Sequence, residues 1–243
     1  MNSLSPLRRD ALATVVVLIY VLSLVAICDM LVKRGWISSS FSRKMVHIGA
    51  ASWLLFWPLY SSTEGGPFWR LNVFVPAAKG LELFIKGAVI RDPNDKDVRS
   101  MSRSGNPSEL LLGPLQFTGV MTIVGLFLFR QNVACLIMAA VGVGDGIAPL
   151  VGGRFGRHKY RSPLVSKKEG VKSFEGSVGV FVGTIAGYYA FLWIAIPSEP
   201  LVAISSLCWY ALTATLVEGL APSNVDNIAI PAAIYSLYKV GLV

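Results

Sequence analysis

Long blocks of apolar residues, separated by short polar stretches, make up almost the whole chain of 243 residues. A membrane-spanning helix needs roughly 20 mostly apolar residues. The pattern therefore predicts an all-α fold, a polytopic transmembrane helical bundle of about seven or eight spans. The third block is the least regular, because it contains Pro76, Lys79 and Glu82. The blocks are Ala11–Val32, Met45–Tyr60, Leu71–Ile90, Pro114–Phe129, Val133–Val151, Ser177–Pro197, Leu201–Leu220 and Ile228–Leu242.

The composition supports a membrane protein rather than a soluble one. The chain is 53% hydrophobic and 15% charged, whereas soluble domains carry roughly 25% charged residues. We therefore expect residues 1–243 to form a single integral-membrane domain. The first block is longer than the apolar core of a signal peptide, so we expect it to be retained as a span. Cys28, Cys135 and Cys208 lie inside apolar blocks without metal-ligand spacing, which predicts free thiols.

The cations of the chain are segregated among the loops. The net charge is +8, but no aromatic-basic motif accompanies it, so the sequence does not indicate a nucleic-acid partner. Sixteen of the 22 Lys and Arg lie in three alternate loops, which the positive-inside rule places on one side of the membrane. These residues are Lys33, Arg34, Arg43, Lys44, Lys86, Arg91, Lys96, Arg99, Arg103, Arg154, Arg157, Lys159, Arg161, Lys167, Lys168 and Lys172.

The densest group of polar residues runs over residues 142–177. Asp145 stands at the end of an apolar block, where an acid is costly unless it is paired, solvated or metal-bound. Glycines let backbone N–H groups approach an anion, and a nucleotide with a divalent cation needs carboxylates, amides and cations together. This mixture predicts nucleotide-site loops with the candidates Gly144, Asp145, Gly146, Gly152, Gly153, Gly156, Lys159, Lys172, Glu175 and Ser177.

Helix packing is the alternative interpretation of these glycines. Gly142 with Gly146, and Gly152 with Gly156, have the GxxxG spacing that is common where membrane helices meet. Packing requires neither Asp145 nor the cations that follow it, so we favour a functional loop there. For Gly179, Gly183 and Gly187 we favour packing. The chain has no Gly-Lys-Ser/Thr, which excludes an ordinary P-loop kinase.

Three further groups of polar residues lie at block boundaries. His47 falls on one helix face with Arg43 and Lys44, although a lone His there is more often structural. Arg103 and Glu109 lie in a polar loop, and the pattern predicts that a helix starts within it, near Pro107. Capping of the last helix is a simple structural explanation for Asp226 or Asn227. It does not explain why Glu218 stands inside an apolar block. The residues of these groups are Arg43, Lys44, His47, Arg103, Glu109, Glu218, Asp226 and Asn227.

Together these groups resemble the CTP-dependent polyprenol kinase family, in particular its phytol kinase and farnesol kinase branch. The resemblance covers the chain from about residue 33 to the end, in the same order and spacing. The pairing of a GDG loop with a KxxEGS block is its most specific part. The matching segments are RKMVHIG (43–49), MSRSGNPSELLLGPL (101–115), GDGIAPLVGGRFG (144–156), KSFEGS (172–177), and Glu218 with Asp226 and Asn227.

The resemblance implies transfer of the CTP γ-phosphate to the primary hydroxyl of an isoprenoid alcohol, phytol or farnesol, within isoprenoid salvage and tocopherol synthesis. It implies a plastid membrane, with the endoplasmic reticulum second. The bilayer, the alcohol and the nucleotide would be the partners, and Mg²⁺ the cofactor.

Roles for individual residues follow from that implied activity. Asp145 would bind Mg²⁺ or activate the alcohol, and Lys172 would neutralise charge on the transferred group. Glu175 would hold a second metal or orient Lys172. Arg43, Lys44 and His47 would close the phosphate site. Arg103 and Glu109 would be substrate or accessory residues, and Glu218, Asp226 and Asn227 would be metal or ribose contacts.

Three alternatives stay open at this stage. A dolichol kinase shares the GDG and KxxEGS segments. A phosphatidate cytidylyltransferase also uses CTP, but its Lys-Asp…His-Gly-Gly…Asp-Arg signature is not found in this sequence. An anion transporter would bury polar groups near the middle of the bilayer, whereas here they lie at block ends.

Overall fold

The computed structural model describes residues 5–162, 164, 171–222 and 225–241. Two compact units make up the chain, Met1–Arg130 and Gln131–Val243. Helices dominate both units, so the prediction of an all-α polytopic membrane protein is confirmed. Cys28, Cys135 and Cys208 are free thiols, as predicted, and only Cys208 is partly exposed.

From residue 5 onwards, the first unit is built from five α-helices joined by 3₁₀ and π segments. Ser38 begins the second helix by accepting a hydrogen bond from the Phe41 amide (3.2 Å), and Asp95 begins the fourth in the same way with the Asp97 amide (2.7 Å). The helices are α1 (Pro6–Lys33), α2 (Ser39–Ala51), α3 (Phe74–Ile85), α4 (Lys96–Met101) and α5 (Gly113–Phe127). The 3₁₀ segments are Ser52–Leu59, Thr63–Gly65, Pro67–Val73 and Pro107–Leu111, and Lys86–Ile90 is a π-helix.

Helix α1, about 40 Å long, defines the two ends of this unit. At its first turn, Asp10 accepts hydrogen bonds from the Ser61 amide (2.6 Å) and hydroxyl (2.5 Å). One turn further on, Thr14 donates to the Leu71 carbonyl (3.2 Å). In its last turns, the carboxylate of Asp29 accepts a hydrogen bond from Arg99 Nε (2.9 Å). The first end is called the Asp10 end below, and the second the Asp29 end.

The irregular third block passes between these two ends. It starts beside Thr14 at Leu71, and its last segment begins at Lys86, whose ammonium binds Asp97 of α4. Helix α4 is joined to the Asp29 end through Arg99. The block therefore runs the length of α1 despite its proline and charges, as 3₁₀, α and π segments in succession.

The first two basic loops meet at the Asp29 end. Ser39, at the start of α2, donates to the Arg99 carbonyl (2.7 Å), and Ser42 donates to the Ser100 carbonyl (3.3 Å). At the Asp10 end, Arg130 donates to the carbonyls of Trp57 and Tyr60 (2.8 Å each). Within this unit, loops 33–44 and 86–103 therefore lie together, as their charge predicted.

The second block differs from the predicted span Met45–Tyr60. Helix α2 ends at Ala51, and the chain continues as a 3₁₀ segment that contains Pro58. Among the described residues, four helices are long and apolar enough to cross a membrane, and Ile204–Leu220 is a shorter apolar helix. The total of seven or eight spans stays a prediction. The four helices are Pro6–Lys33, Pro107–Phe127, Asn132–Phe155 and Phe174–Ala195.

The second unit also runs back and forth between two ends. At one end Asn132 donates to the Pro200 carbonyl (2.7 Å). At the other, Ser162 donates to the Leu220 carbonyl (2.7 Å). A small antiparallel hairpin, which the sequence did not predict, lies at this second end. The elements are α6 (Asn132–Met138), a π-helix (Ala139–Gly144), α7 (Asp145–Phe155), β1 (Lys159–Arg161), β2 (Val171–Ser173), α8 (Phe174–Ala195), α9 (Ile204–Leu220) and α10 (Asp226–Val240).

Candidate active site

The predicted site residues divide between the two units. The second unit holds the larger set, gathered around the hairpin, the start of α7 and the end of α9. The first unit holds Arg43, Lys44, His47, Arg103 and Glu109. The second-unit set is Gly144, Asp145, Gly146, Gly152, Gly153, Gly156, Lys159, Lys172, Glu175, Ser177, Glu218, Asp226 and Asn227.

Asp145 is the buried acid at the start of α7. It is 5% exposed and follows directly on the π-helix Ala139–Gly144. Helices α9 and α10 both pack against that π-helix. Asp226, the first residue of α10, and the neighbouring Asn227 are buried as well. Asp145 lies within the continuous helix Asn132–Phe155, so the predicted end of the apolar span at Asp145 is wrong. A carboxylate buried there must be stabilised by a cation, a hydrogen-bond donor or a proton.

Lys172 forms a buried ion pair with Glu218. Its Nζ lies 2.8 Å from Glu218 Oε1, and it also donates to the Glu218 carbonyl oxygen. The two side chains are only 13% and 11% exposed. The pair joins the middle of β2 to the last turn of α9, across 46 positions of sequence. The ion pair with Lys172 thus explains why Glu218 lies inside an apolar block, which helix capping did not explain.

Glu175 pairs with a histidine rather than with Lys172. Its Oε1 lies 2.8 Å from His158 Nδ1 and accepts a hydrogen bond from the His158 amide (3.2 Å). The predicted role of Glu175 in orienting Lys172 is therefore wrong, because Glu218 occupies that position. His158 was missed, since a single histidine in a basic loop gives no signal in the sequence. Its side chain is 79% exposed.

The hairpin presents its two faces to different helices. Tyr160 and Lys172 are paired across the strands, so they lie on one face, and the Tyr160 hydroxyl bonds Ser177 Oγ at 2.7 Å. The neighbouring pair, Lys159 and Ser173, lies on the other face. Lys159 Nζ there donates to the Gly152 carbonyl of α7 (3.2 Å). The predicted site residues Lys159, Lys172 and Ser177 are thus all held by this hairpin.

Most of the glycines pack helices together. A Cβ on Gly144 would lie 2.6 Å from Thr184 Oγ1 and 3.0 Å from the Val180 carbonyl oxygen. A Cβ on Gly183 would lie 3.3 Å from the Gly144 Cα, and a Cβ on Gly187 would lie 3.0 Å from the Val143 Cβ, so the predicted packing role of these two glycines is borne out. A Cβ on Gly179 would meet Val151, and a Cβ on Gly152 would meet Ser173. A Cβ on Gly156 would meet the carbonyl oxygen of Gly152.

Gly153 is different, because a Cβ there would meet no atom within 4 Å. Gly146 is buried in the first turn of α7. Close packing therefore accounts for Gly144, against α8, and for Gly152, against Ser173 and Gly176, whereas Gly156 is crowded by the carbonyl of Gly152 in the last turn of α7. Phosphate binding by these three glycines stays a prediction. Gly153 lies inside α7, where backbone N–H groups are directed to the carbonyl four residues earlier, so its binding of phosphate also stays a prediction.

The first-unit residues have local partners. The imidazole of His47 stacks on Phe117, with ring centroids 4.1 Å apart, and Lys44 is buried. Glu109 closes its loop by accepting hydrogen bonds from the Arg103 amide and from Ser104 Oγ (2.6 Å). These contacts give His47 and Glu109 structural roles, and their functional roles stay predictions.

A second buried charge cluster in the first unit was not predicted. Asp97, which is fully buried, binds both Lys79 (2.8 Å) and Lys86. Glu82 binds the same two lysines at 2.9 and 2.7 Å, and Asp95 lies 3.1 Å from Lys86. This cluster explains how the third block tolerates its charges.

The predicted Mg²⁺ site would need ligands from the nucleotide as well as from the protein. Among the described residues, no three His, Cys, Asp or Glu side chains are close enough to hold a metal by themselves. Mg²⁺ in nucleotide sites is bound by one or two carboxylates together with phosphate oxygens and water. Asp145 supplies such a carboxylate.

These features define a polytopic, all-α membrane protein with buried ion pairs at the helix ends. Phytol kinase 1, chloroplastic, of Arabidopsis thaliana is 34% identical over 239 residues, which cover 93% of this chain and 75% of that protein. The probable chloroplastic phytol kinase of Zea mays is 32% identical over 244 residues, covering 93% and 74%. The chloroplastic farnesol kinase of Arabidopsis thaliana is 31% identical over 207 residues, covering 82% and 64%. The chain therefore belongs to the phytol and farnesol kinase family. No protein-family model and no solved structure matches it.

Proposed function

We propose that this protein is a kinase of the plastid membrane that transfers the γ-phosphate of CTP to the primary hydroxyl of an isoprenoid alcohol, phytol or farnesol. The observation that carries the proposal is the similarity along 93% of the chain to a phytol kinase. The buried charges at the hairpin end of the second unit support it, because phosphoryl transfer needs fixed charges. The product would feed isoprenoid salvage and tocopherol synthesis.

The reaction requires little covalent chemistry from the protein. The alcohol oxygen bonds to the γ-phosphorus, the bond from that phosphorus to the bridging oxygen breaks, and CDP leaves. Positioning and charge supply most of the rate in such reactions. Lys172 would neutralise charge on the transferred group. Asp145 would either accept the hydroxyl proton or hold Mg²⁺, which supplies charge neutralisation at the phosphates when bound.

The acceptor and the donor would reach the protein from different phases. A long-chain isoprenoid alcohol partitions into the bilayer, so its hydroxyl would be presented from among the apolar helices. The nucleotide would arrive from water at the loops between them. The hairpin between α7 and α8 occupies such a position, at the ends of two helices that are long enough to span.

Membranes from cells that express the chain provide the direct test. They would be incubated with γ-labelled CTP or ATP and with phytol, farnesol or dolichol, and the lipid phosphates would be separated. We expect label from CTP in phytyl or farnesyl phosphate, above membranes without the protein. Labelled dolichyl phosphate alone would instead indicate a dolichol kinase. No lipid phosphate with any acceptor would contradict the proposal.

The role of Asp145 is tested by Asp145→Asn. This change keeps the size of the side chain and removes its charge, so we expect kcat to fall by about 100-fold or more. Asp92→Asn is the matched control, because Asp92 is exposed on a turn of the first unit. Near-normal phosphorylation by the Asp145→Asn protein would show that the assignment is wrong.

A further inference from the structure

We infer that Glu218 is a positioning residue, which holds the Lys172 ammonium in place for the transferred phosphate. The inference rests on the proposed kinase function and assigns Glu218 a role other than metal or ribose binding. It starts from the way in which the hairpin is fastened to the last turn of α9.

Among the residues that the structure describes, three contacts fasten the hairpin to that turn. Lys172 of β2 binds Glu218. Ser162, just after β1, donates to the Leu220 carbonyl (2.7 Å). The Tyr160 hydroxyl lies against Gly219, where a Cβ would be only 3.0 Å away. The contacts involve three successive residues of α9, so the end of this helix forms a continuous seat for one hairpin face.

The seat fixes Lys172 more firmly than a surface ion pair would. Exposed lysine pairs contribute little because solvent screens them and the side chain must be ordered. Here both partners are largely buried, and Glu218 offers its carboxylate and its backbone carbonyl to the same ammonium. The carbonyl belongs to the last helical turn, whose oxygens lack intrahelical donors and carry partial negative charge.

The number of N–H donors on Lys172 determines where its ammonium can bind a phosphate. A lysine ammonium has three N–H donors, and two of them are engaged by Glu218. The third N–H then has a defined direction, which suits one phosphate oxygen. Tyr160, opposite Lys172 in the strand register, is tied to Ser177 on α8, so the strand that carries Lys172 cannot shift without breaking contacts to two helices.

The first experiment compares kcat and KM for Glu218→Gln and Glu218→Asp. A misplaced catalytic group can cost about 100-fold in rate. We therefore expect Glu218→Gln to lower kcat by about that factor, with little change in the KM for the nucleotide, and Glu218→Asp to recover part of the loss. The control is Glu199→Gln, since Glu199 is exposed beyond α8 at the other end of the unit. An unchanged kcat for Glu218→Gln would overturn the inference.

The second experiment separates positioning from simple stabilisation. The double variant Lys172→Glu with Glu218→Lys keeps an opposite-charge pair, so its thermal unfolding in detergent should resemble that of the wild type more than either single variant does. Its kinase activity should nevertheless stay at the level of Lys172→Glu alone. Recovery of activity together with stability would show a merely structural pair.

The third experiment does not depend on kinase activity. Lysine acetylation by acetic anhydride, followed by peptide mass spectrometry, measures the reactivity of Lys172 relative to Lys239. We expect Glu218→Gln to raise the reactivity of Lys172 severalfold and to leave Lys239 unchanged. Equal labelling in both proteins would refute the pairing itself. Absence of all kinase activity in the wild type would instead contradict the proposed function and leave this reactivity test valid.

Discussion

At the scale of single residues, buried charges are the most consequential features of the chain. Asp97 is fully buried and binds two lysines. Breaking a buried pair typically costs about 3–5 kcal/mol. Glu82 and Asp95 still bind these lysines, which keeps the expected cost at about 3 kcal/mol or less. We expect Asp97→Asn to lower the free energy of unfolding by about that amount, measured by denaturation in mixed detergent micelles.

The exposed turn next to this cluster supplies the matched control. Asp92→Asn should change the free energy of unfolding by less than about 0.5 kcal/mol, because surface substitutions rarely do more. Asp92 and Asp97 lie five positions apart, so both variants test the same region. Equal stability of the two variant proteins would mean that the lysines do not depend on Asp97.

The chemical types of the site residues were predictable, but their pairings were not. Asp145, Lys172 and Glu218 stood out because charged residues are costly in or beside apolar blocks. The partner of Lys172 lies 46 positions away, and nothing in the local pattern indicates it. The sequence instead suggested Glu175, three positions away, which the fold directs to His158. Proximity along the chain was misleading because β2 ends between the two residues.

At the scale of elements, the packing of α8 against the π-helix Ala139–Gly144 depends on small residues. A Cβ on Gly144 would press on a backbone oxygen of α8 as well as on Thr184, and backbone cannot move aside as a side chain can. Overpacking typically costs about 1–3 kcal/mol. We expect Gly144→Ala to be destabilised by about that amount, measured as a lower thermal midpoint in detergent.

Gly153→Ala is the natural comparison, because a Cβ at this position of α7 meets no atom within 4 Å. Alanine is favoured over glycine in a helix by about 1 kcal/mol, so this variant should be as stable as the wild type or more so. A stable Gly144→Ala protein would argue against close packing at this position and in favour of the phosphate-binding interpretation.

The long helices were predictable, whereas the short elements were not. Apolar blocks located α1, α5, α8 and α9 to within a few residues, because their length and composition leave few alternatives. The strands Lys159–Arg161 and Val171–Ser173 have three residues each, too few to show an alternating pattern. The π segments depend on tertiary packing and carry no propensity signal of their own.

At the scale of the whole molecule, the basic loops carry the strongest topological information. Within the first unit, loops 33–44 and 86–103 meet at one end through Arg99, as their charge predicted. The irregular third block joins the two ends of this unit, and the parity of every later loop depends on the prediction that it crosses the membrane. The positive-inside rule then assigns loop 154–172 to the same side of the membrane as these two loops.

Labelling of single cysteines tests that assignment directly. In a parent with the three native cysteines replaced by alanine, new cysteines would be placed at the exposed positions Asn94, Arg157, Glu64 and Ser198. A membrane-impermeant maleimide applied to sealed vesicles should label Asn94→Cys and Arg157→Cys from one side, and Glu64→Cys and Ser198→Cys only from the other. Detergent should make all four reactive, which controls for buried thiols. If Asn94→Cys and Arg157→Cys react from opposite sides, an odd number of crossings separates the loops, and the common side predicted for the basic loops is wrong.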